Sequence, residues 1–174
     1  MKILLLKFRN IGDVLLSTPL VNNLRHHYPN AQIDFCVNKE TEAMLTLNPN
    51  LNKIITYDGI AIKSLTSIKR LWRELQFIRS FKKENYDVVI NLTSGDRGNL
   101  IAWISNAPTR IGYSNKSWFF RKSLTHELPK QELRHTVDAS LDPLRLLNIP
   151  ISNKSVEIFW NSKDEQAISS ELTN

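Results

Sequence analysis

Asp13 is the residue of this sequence best placed to do chemistry. It follows an apolar, strand-like run, KILLLK at 2–7, and comes directly after Gly12 in a turn that leads into a helical pattern. In an open α/β sheet, ligands gather at the carboxyl end of the first strand. A carboxylate there, beside a helix start whose dipole favours the ionised form, can accept a proton from a substrate. The same residue could serve only as a helix cap. Pro19 bears on the choice, because it removes one helical hydrogen bond and suits the first turn of a helix capped by Thr18, which would free Asp13 from structural duty. Asn10 and the backbone amides of Ile11, Gly12 and Asp13 could line a cleft, glycine permitting close approach of a ligand. Gly12 could equally make a tight turn and nothing more.

Several chemistries are excluded at this turn. A dinucleotide fingerprint needs three glycines where only Gly12 is present, and no Walker A pattern occurs. No D-x-D pair is available to hold a divalent cation beneath a diphosphate, and the four histidines lack ligand spacing. Cys36, the only cysteine, sits in the apolar stretch IDFCV, so a disulfide framework is excluded and a buried, inert thiol is expected.

A second chemical resource is positive charge. The net charge of +6 is uneven: residues 61–84 hold seven Lys or Arg against two Glu, and residues 110–134 hold six against two. Such segments suit an acidic partner, whether nucleic acid, anionic lipid or a phosphorylated sugar. Lys63, Lys69, Arg70 and Arg73, with Arg97, Arg121 and Lys122, are the candidate contacts, against the plain reading of a solvated helix face. The stretch SNKSWFFRKS mixes Trp118, Phe119 and Phe120 with Lys116, Arg121 and Lys122, a composition that could touch a membrane or, equally, place aromatics in the core.

The elements that must position these groups alternate. Strand-like runs at 2–7, 31–37, 53–58 and 86–92 are followed by helical patterns at 14–28, 39–47, 64–84 and 95–105, which predicts a parallel sheet with crossover helices. A strand is expected at 109–113, then an irregular stretch to about 134, a helix near 136–147, a last strand at 155–159 and a helix starting at 162 with Ser162 as cap. In the 64–84 helix, Leu65, Ile68, Leu71, Trp72, Leu75, Ile78 and Phe81 recur along one face opposite Lys69, Arg70 and Arg73. His135 and Asp138 fall near the start of the 136–147 helix, where Thr136 is the expected cap, and they are given no catalytic role. With 174 residues, 41% hydrophobic, the chain suits one α/β domain, and no apolar run approaches the roughly 20 residues that span a bilayer. A cytoplasmic protein is expected.

The stretch NIGDVLLSTP, continued by LVNNLRHHYPNAQIDFCV, resembles the opening of glycosyltransferase family 9, the heptosyltransferases, with its G-D-x(5)-P element. VVINLT and FFRKSLTHELPKQELRHTVDASLDPLRLLNI resemble later parts of that family, most closely its heptosyltransferase III branch. The resemblance implies a GT-B architecture of two Rossmann-like domains. Residues 1–160 would be the N-terminal acceptor-binding domain and 161–174 the start of a linker, with the donor domain absent from this sequence. It implies inverting, metal-independent transfer of heptose from ADP-heptose to the lipopolysaccharide inner core, with Asp13 as base. No cofactor is implied beyond the nucleotide-sugar donor, which the missing half would bind. The acceptor would be met at the inner face of the inner membrane, and nucleic acid would not be a partner. The isolated half is expected to be inactive alone, and two other readings stand beside this one: a non-catalytic acceptor-binding module or truncated, inactive fragment, and a nucleic-acid-binding α/β domain suggested by the basic, aromatic composition.

Overall fold

The computed structural model describes residues 1–114, 123–129, 134–162 and 164–165. Six parallel strands form one sheet in the order β3-β2-β1-β4-β5-β6. They are β1 (Lys2–Lys7), β2 (Gln32–Asn38), β3 (Lys53–Tyr57), β4 (Val88–Asn91), β5 (Thr109–Tyr113) and β6 (His126–Leu128). This is the Rossmann order, with its topological switch between β1 and β4, the crevice at which doubly wound sheets bind ligands. The central strands are continuous apolar runs because both of their faces are covered. Leu4, Leu5, Leu6 and Ile33 have no solvent exposure.

Two cores lie on opposite faces of the sheet. One joins Ile3, Leu5 and Phe35 to Leu20, Val21 and Leu24 of α2 (Thr18–His27) and to Val137 of α6 (Thr136–Ser140) and Leu144 of α7 (Asp142–Leu146). The other joins Leu4, Leu6 and Cys36 to Ile78 of α4 (Ser67–Ser80) and Ile101 of α5 (Asp96–Ser105). Cys36 is fully buried, and burial pushes its thiol pKa up, as an inert thiol requires. Buried polar groups on β2 and β4 are partnered. Asp34 accepts from the Tyr86 hydroxyl at 2.7 Å, and Asn91 donates to Asn99 at 2.9 Å. Gly98 makes the second pair fit, since a Cβ there would lie 2.3 Å from the Asn91 amide oxygen.

Several predicted elements differ in extent. The 14–28 helix is two helices, α1 (Ile11–Leu15) and α2. Pro19 cannot donate to the Leu15 carbonyl, and the Thr18 hydroxyl takes that acceptor at 2.9 Å instead. The N-cap position falls to Ser17, so Thr18 is the first helical residue and not the cap. Residues 39–44 form a 3-10 helix in place of a 39–47 helix. The 64–84 helix resolves into α4 and a 3-10 turn at 81–84. Likewise the 136–147 helix breaks at Leu141, just ahead of Pro143, and its cap is His135, whose ring nitrogen accepts from Val137 N at 3.3 Å, not Thr136. Asn161, not Ser162, caps the turn after it, accepting from Asp164 N at 3.0 Å.

Two strand expectations are corrected. Residues 155–159 form no strand, because the chain at Glu157 and just ahead of the stretch is bonded to side chains of α2. Ser152 N and Asn153 N donate to the Asn23 amide oxygen at 2.7 and 3.3 Å, and Glu157 N donates to Thr18 Oγ1 at 3.1 Å. The sixth strand is instead β6, inside the stretch expected to be irregular. Of its three residues only Leu128 is buried, which is too little for a periodic signal. Among the described residues no helix is long and apolar enough to cross a membrane.

Candidate functional site

The loop after β1 forms one wall of a cleft at the carboxyl edge of the sheet. Arg9, Asn10, Ile11 and Gly12 line it on one side, with Asn38, Glu40 and Thr41 from the end of β2 opposite, around a volume of about 460 Å³. The loop is fastened on both sides of β1. Phe8 N donates to Thr93 Oγ1 at 2.9 Å and Arg9 donates to Ser94 Oγ at 3.0 Å, both beyond β4, while Asn38 donates to the Arg9 carbonyl at 3.4 Å.

Asp13 is the third residue of α1, half-buried beside this cleft. It does not cap the helix: Asn10 holds the N-cap position, without a side-chain bond, and Asp13 contributes only its backbone carbonyl, which accepts from Ser17 Oγ at 2.8 Å. No described residue hydrogen-bonds or ion-pairs with its carboxylate. The nearby charge is Lys7, 3% exposed at the end of β1, which donates to the Leu92 carbonyl at 3.2 Å. Burial holds the Lys7 ammonium below the usual lysine range, the Asp13 carboxylate opposes that shift, and Arg9 adds to it.

Gly12 has no left-handed φ, and a Cβ added to it would meet nothing within 4 Å. Neither a tight turn nor the chain's own packing therefore requires glycine at this position. It leaves the backbone of the cleft wall uncovered.

The basic candidates divide. Arg97, at the start of α5, is committed to the protein: it donates to the Tyr57 hydroxyl at 2.8 Å, pairs with Glu74 at 3.2 Å, and lies 4.0 Å over the Tyr57 ring. Lys63, in α3 (Gly59–Lys63), and Lys69, Arg70 and Arg73 of α4 are exposed and form no ion pair with a described residue. Arg73 borders a separate groove between α3 and α4, with Asp58, Ile62, Leu65, Gln76 and Phe77. Thus the structure brings Asn10, Ile11, Gly12 and Asp13 together and sets the four cations apart on the α3–α4 side. Arg121 and Lys122, with Lys116, Trp118, Phe119 and Phe120, lie outside the described residues. Asp138 pairs with Lys154 at 2.8 Å, away from the cleft.

Arg9 and Asn38 also line this cleft and Thr93 and Ser94 fasten its loop, and none of the four carried a sequence signal of its own. Only the strand order, with β4 beside β1, would have pointed to Thr93 and Ser94.

No family model matches the chain. It is 32% identical over 143 residues to lipopolysaccharide heptosyltransferase 3 of Escherichia coli strain K12, an alignment covering 79% of this chain and 40% of that protein. A second E. coli protein of that name is 30% identical over 141 residues with the same coverage. Among solved structures, a glycosyl transferase family 9 protein of Veillonella parvula matches with a TM-score of 0.80 at 23% identity, over 99% of this chain and 49% of that one. E. coli heptosyltransferase WaaC with ADP-2-deoxy-2-fluoro heptose matches with a TM-score of 0.74 at 15% identity, over 90% of this chain and 51% of that one. At those identities the structural matches speak for the fold. The chain spans 40% of the length of the curated relatives it matches and about half of the solved ones. By sequence and by fold, it is a relative of the glycosyltransferase family 9 heptosyltransferases.

Proposed function

We infer that this chain is the acceptor-side half of an inverting, metal-independent glycosyltransferase that moves heptose from ADP-heptose to the lipopolysaccharide inner core. The observation that carries the reading is the Asp13 carboxylate, unclaimed by any described side chain, beside an open cleft between the segments that follow β1 and β2 at the carboxyl edge of the sheet. In the reaction, an acceptor hydroxyl gives its proton to Asp13, its oxygen bonds to the anomeric carbon of the donor, and the bond from that carbon to the diphosphate breaks, releasing ADP. A positioned base of this kind contributes about 100- to 10,000-fold. Asn10 and the uncovered backbone at Ile11 and Gly12 would hold the acceptor sugar. Lys63, Lys69, Arg70 and Arg73 would attract its phosphates and carboxylates. The donor would be held by a second domain.

The test extends the chain to the length of its relatives and measures heptose transfer from ADP-heptose to a truncated inner-core acceptor, with and without Asp13→Asn. Activity lost only in the variant supports both the reaction and the base. Equal activity removes Asp13 from its role, and transfer by neither leaves the reading without support. A second reading is that this length of chain alone binds acceptor without catalysis. Binding of the truncated core by the 174-residue chain, without transfer, would be its signature.

A further inference from the structure

Helix α4 wears its apolar stripe on the outside. Ile68, Leu71, Trp72 and Leu75 follow one another at steps of three, one and three, the spacing that in a globular domain faces the core. Here they are 84, 62, 60 and 38% exposed. The helix packs instead through Glu74, which accepts from Tyr57 and Arg97, and through Phe77 and Ile78. Those contacts fall in its second half. The helix runs back from the carboxyl edge of the sheet, where Tyr57 ends β3, so Ile68, six residues ahead of Glu74, lies about 9 Å further along the axis and outward. The stripe therefore stands at the same edge of the sheet as the Asp13 cleft.

What adjoins the stripe narrows its partner. Arg79 continues its line one turn beyond Leu75, and Lys69, Arg73 and Gln76 form the neighbouring exposed side. None of these three cations pairs with a described acid, and the helix's one acid, Glu74, is already taken. The core of a protein interface is depleted of lysine. Aliphatics and a tryptophan beside unpaired Lys and Arg on one helix match the boundary of an anionic bilayer, with the apolar face seated among acyl chains and the cations at the phosphates.

We propose that α4 docks the protein on anionic membrane through Ile68, Leu71, Trp72 and Leu75. The inference rests on the transferase reading only for its purpose, which is to hold the cleft at a surface where a lipid-linked acceptor resides. Its test needs neither donor nor transfer, so either reading can fail without the other.

The 174-residue chain is sedimented with vesicles of phosphatidylethanolamine containing phosphatidylglycerol, and with vesicles of phosphatidylcholine. Binding is expected to the first and far less to the second, and to weaken at high salt. Leu71→Gln with Trp72→Gln lowers binding by about tenfold or more while leaving the circular dichroism spectrum and thermal midpoint unchanged, because both side chains are exposed. Ile68→Ser acts in the same direction as an independent variant. Lys69→Gln and Arg79→Gln each lower it by about fivefold. The proposal is overturned if the apolar variants bind as the parent does. It falls likewise if the stripe variants abolish a dimer seen without lipid, if they weaken binding to a random oligonucleotide equally, or if the chain extended to the length of its relatives no longer binds vesicles.

Discussion

The Arg97 guanidinium lies 4.0 Å over the ring of Tyr57 while one of its nitrogens donates to the Tyr57 hydroxyl at 2.8 Å. Tyr57 in turn donates to Glu74 of α4, so one arginine joins the end of β3, the start of α5 and the middle of α4. Removing it leaves a buried hydroxyl and a carboxylate short of a partner. Arg97→Ala should therefore cost about 1–3 kcal/mol in urea unfolding. Arg97→Lys should recover little of it, since an ammonium cannot both stack and fork. A variant with unchanged stability and only a weakened acceptor affinity would return Arg97 to the role of a sugar-phosphate contact.

Gly12 and Gly98 should respond oppositely to the same substitution. At Gly98 a Cβ would sit 2.3 Å from the Asn91 side chain, itself bonded to Asn99, so Gly98→Ala should destabilise by about 1–3 kcal/mol through overpacking. At Gly12 nothing lies within 4 Å and the residue is helical, so Gly12→Ala should raise stability by about 0.5–1 kcal/mol. If the uncovered backbone serves the acceptor, the second variant raises KM in the transfer assay despite its gain in stability. A Gly12→Ala enzyme with parental KM would show that the open space is unused.

Alkaline pH should loosen the same Tyr57 cluster. Burial, and then the hydrogen bond donated to Glu74, push the Tyr57 pKa up to about 12, while an unfolded tyrosine ionises near pH 10. Its folded value is the higher one, so its contribution is whole below about pH 10 and is lost as pH climbs towards 12. Burial raises Tyr86 and Cys36 as well, and both add to the loss. Tyr57→Phe should start from a lower thermal midpoint at neutral pH and then fall less steeply than the parent between pH 10 and 12. Parallel curves would mean that Tyr57 ionises as freely folded as unfolded.

The sheet was legible because its strands announce themselves. KILLLK and VVIN are apolar on both faces, as only buried parallel strands are, and each is followed by a helix-forming run. The position of Asp13 in a turn of helix just after β1 was legible from the strand-then-glycine pattern. Helix α4 was legible as a helix but not in its orientation: a periodic stripe says which residues share a side, not whether that side meets the core. Thr93 and Ser94 could not be read at all, because they join the site through a strand pairing 85 residues distant in sequence. The 155–159 stretch read as a strand because local propensity is blind to Thr18, which bonds Glu157 from across the chain, and to Asn23, which holds residues 152–153 just ahead of it.

Asn23 gives the last expectation. It is 1% exposed on α2, accepts from Ser152 N at 2.7 Å, Ser152 Oγ at 3.0 Å and Asn153 N at 3.3 Å, and donates to the Asn153 carbonyl at 2.6 Å. One amide thus does for residues 152–153 what a neighbouring strand would do in a sheet. Asn23→Ala removes the partner of those part-buried backbone groups, and each hydrogen bond lost costs about 0.5–1.5 kcal/mol. The loss should be partly local, so amide exchange at Ser152 and Asn153 should accelerate by more than the fall in global stability explains. Asn23→Asp keeps the acceptor but loses the bond to Asn153 O, and should fall between the two. Exchange at 152–153 that follows global stability alone in both variants would mean that the segment is held by Thr18 and its apolar contacts instead.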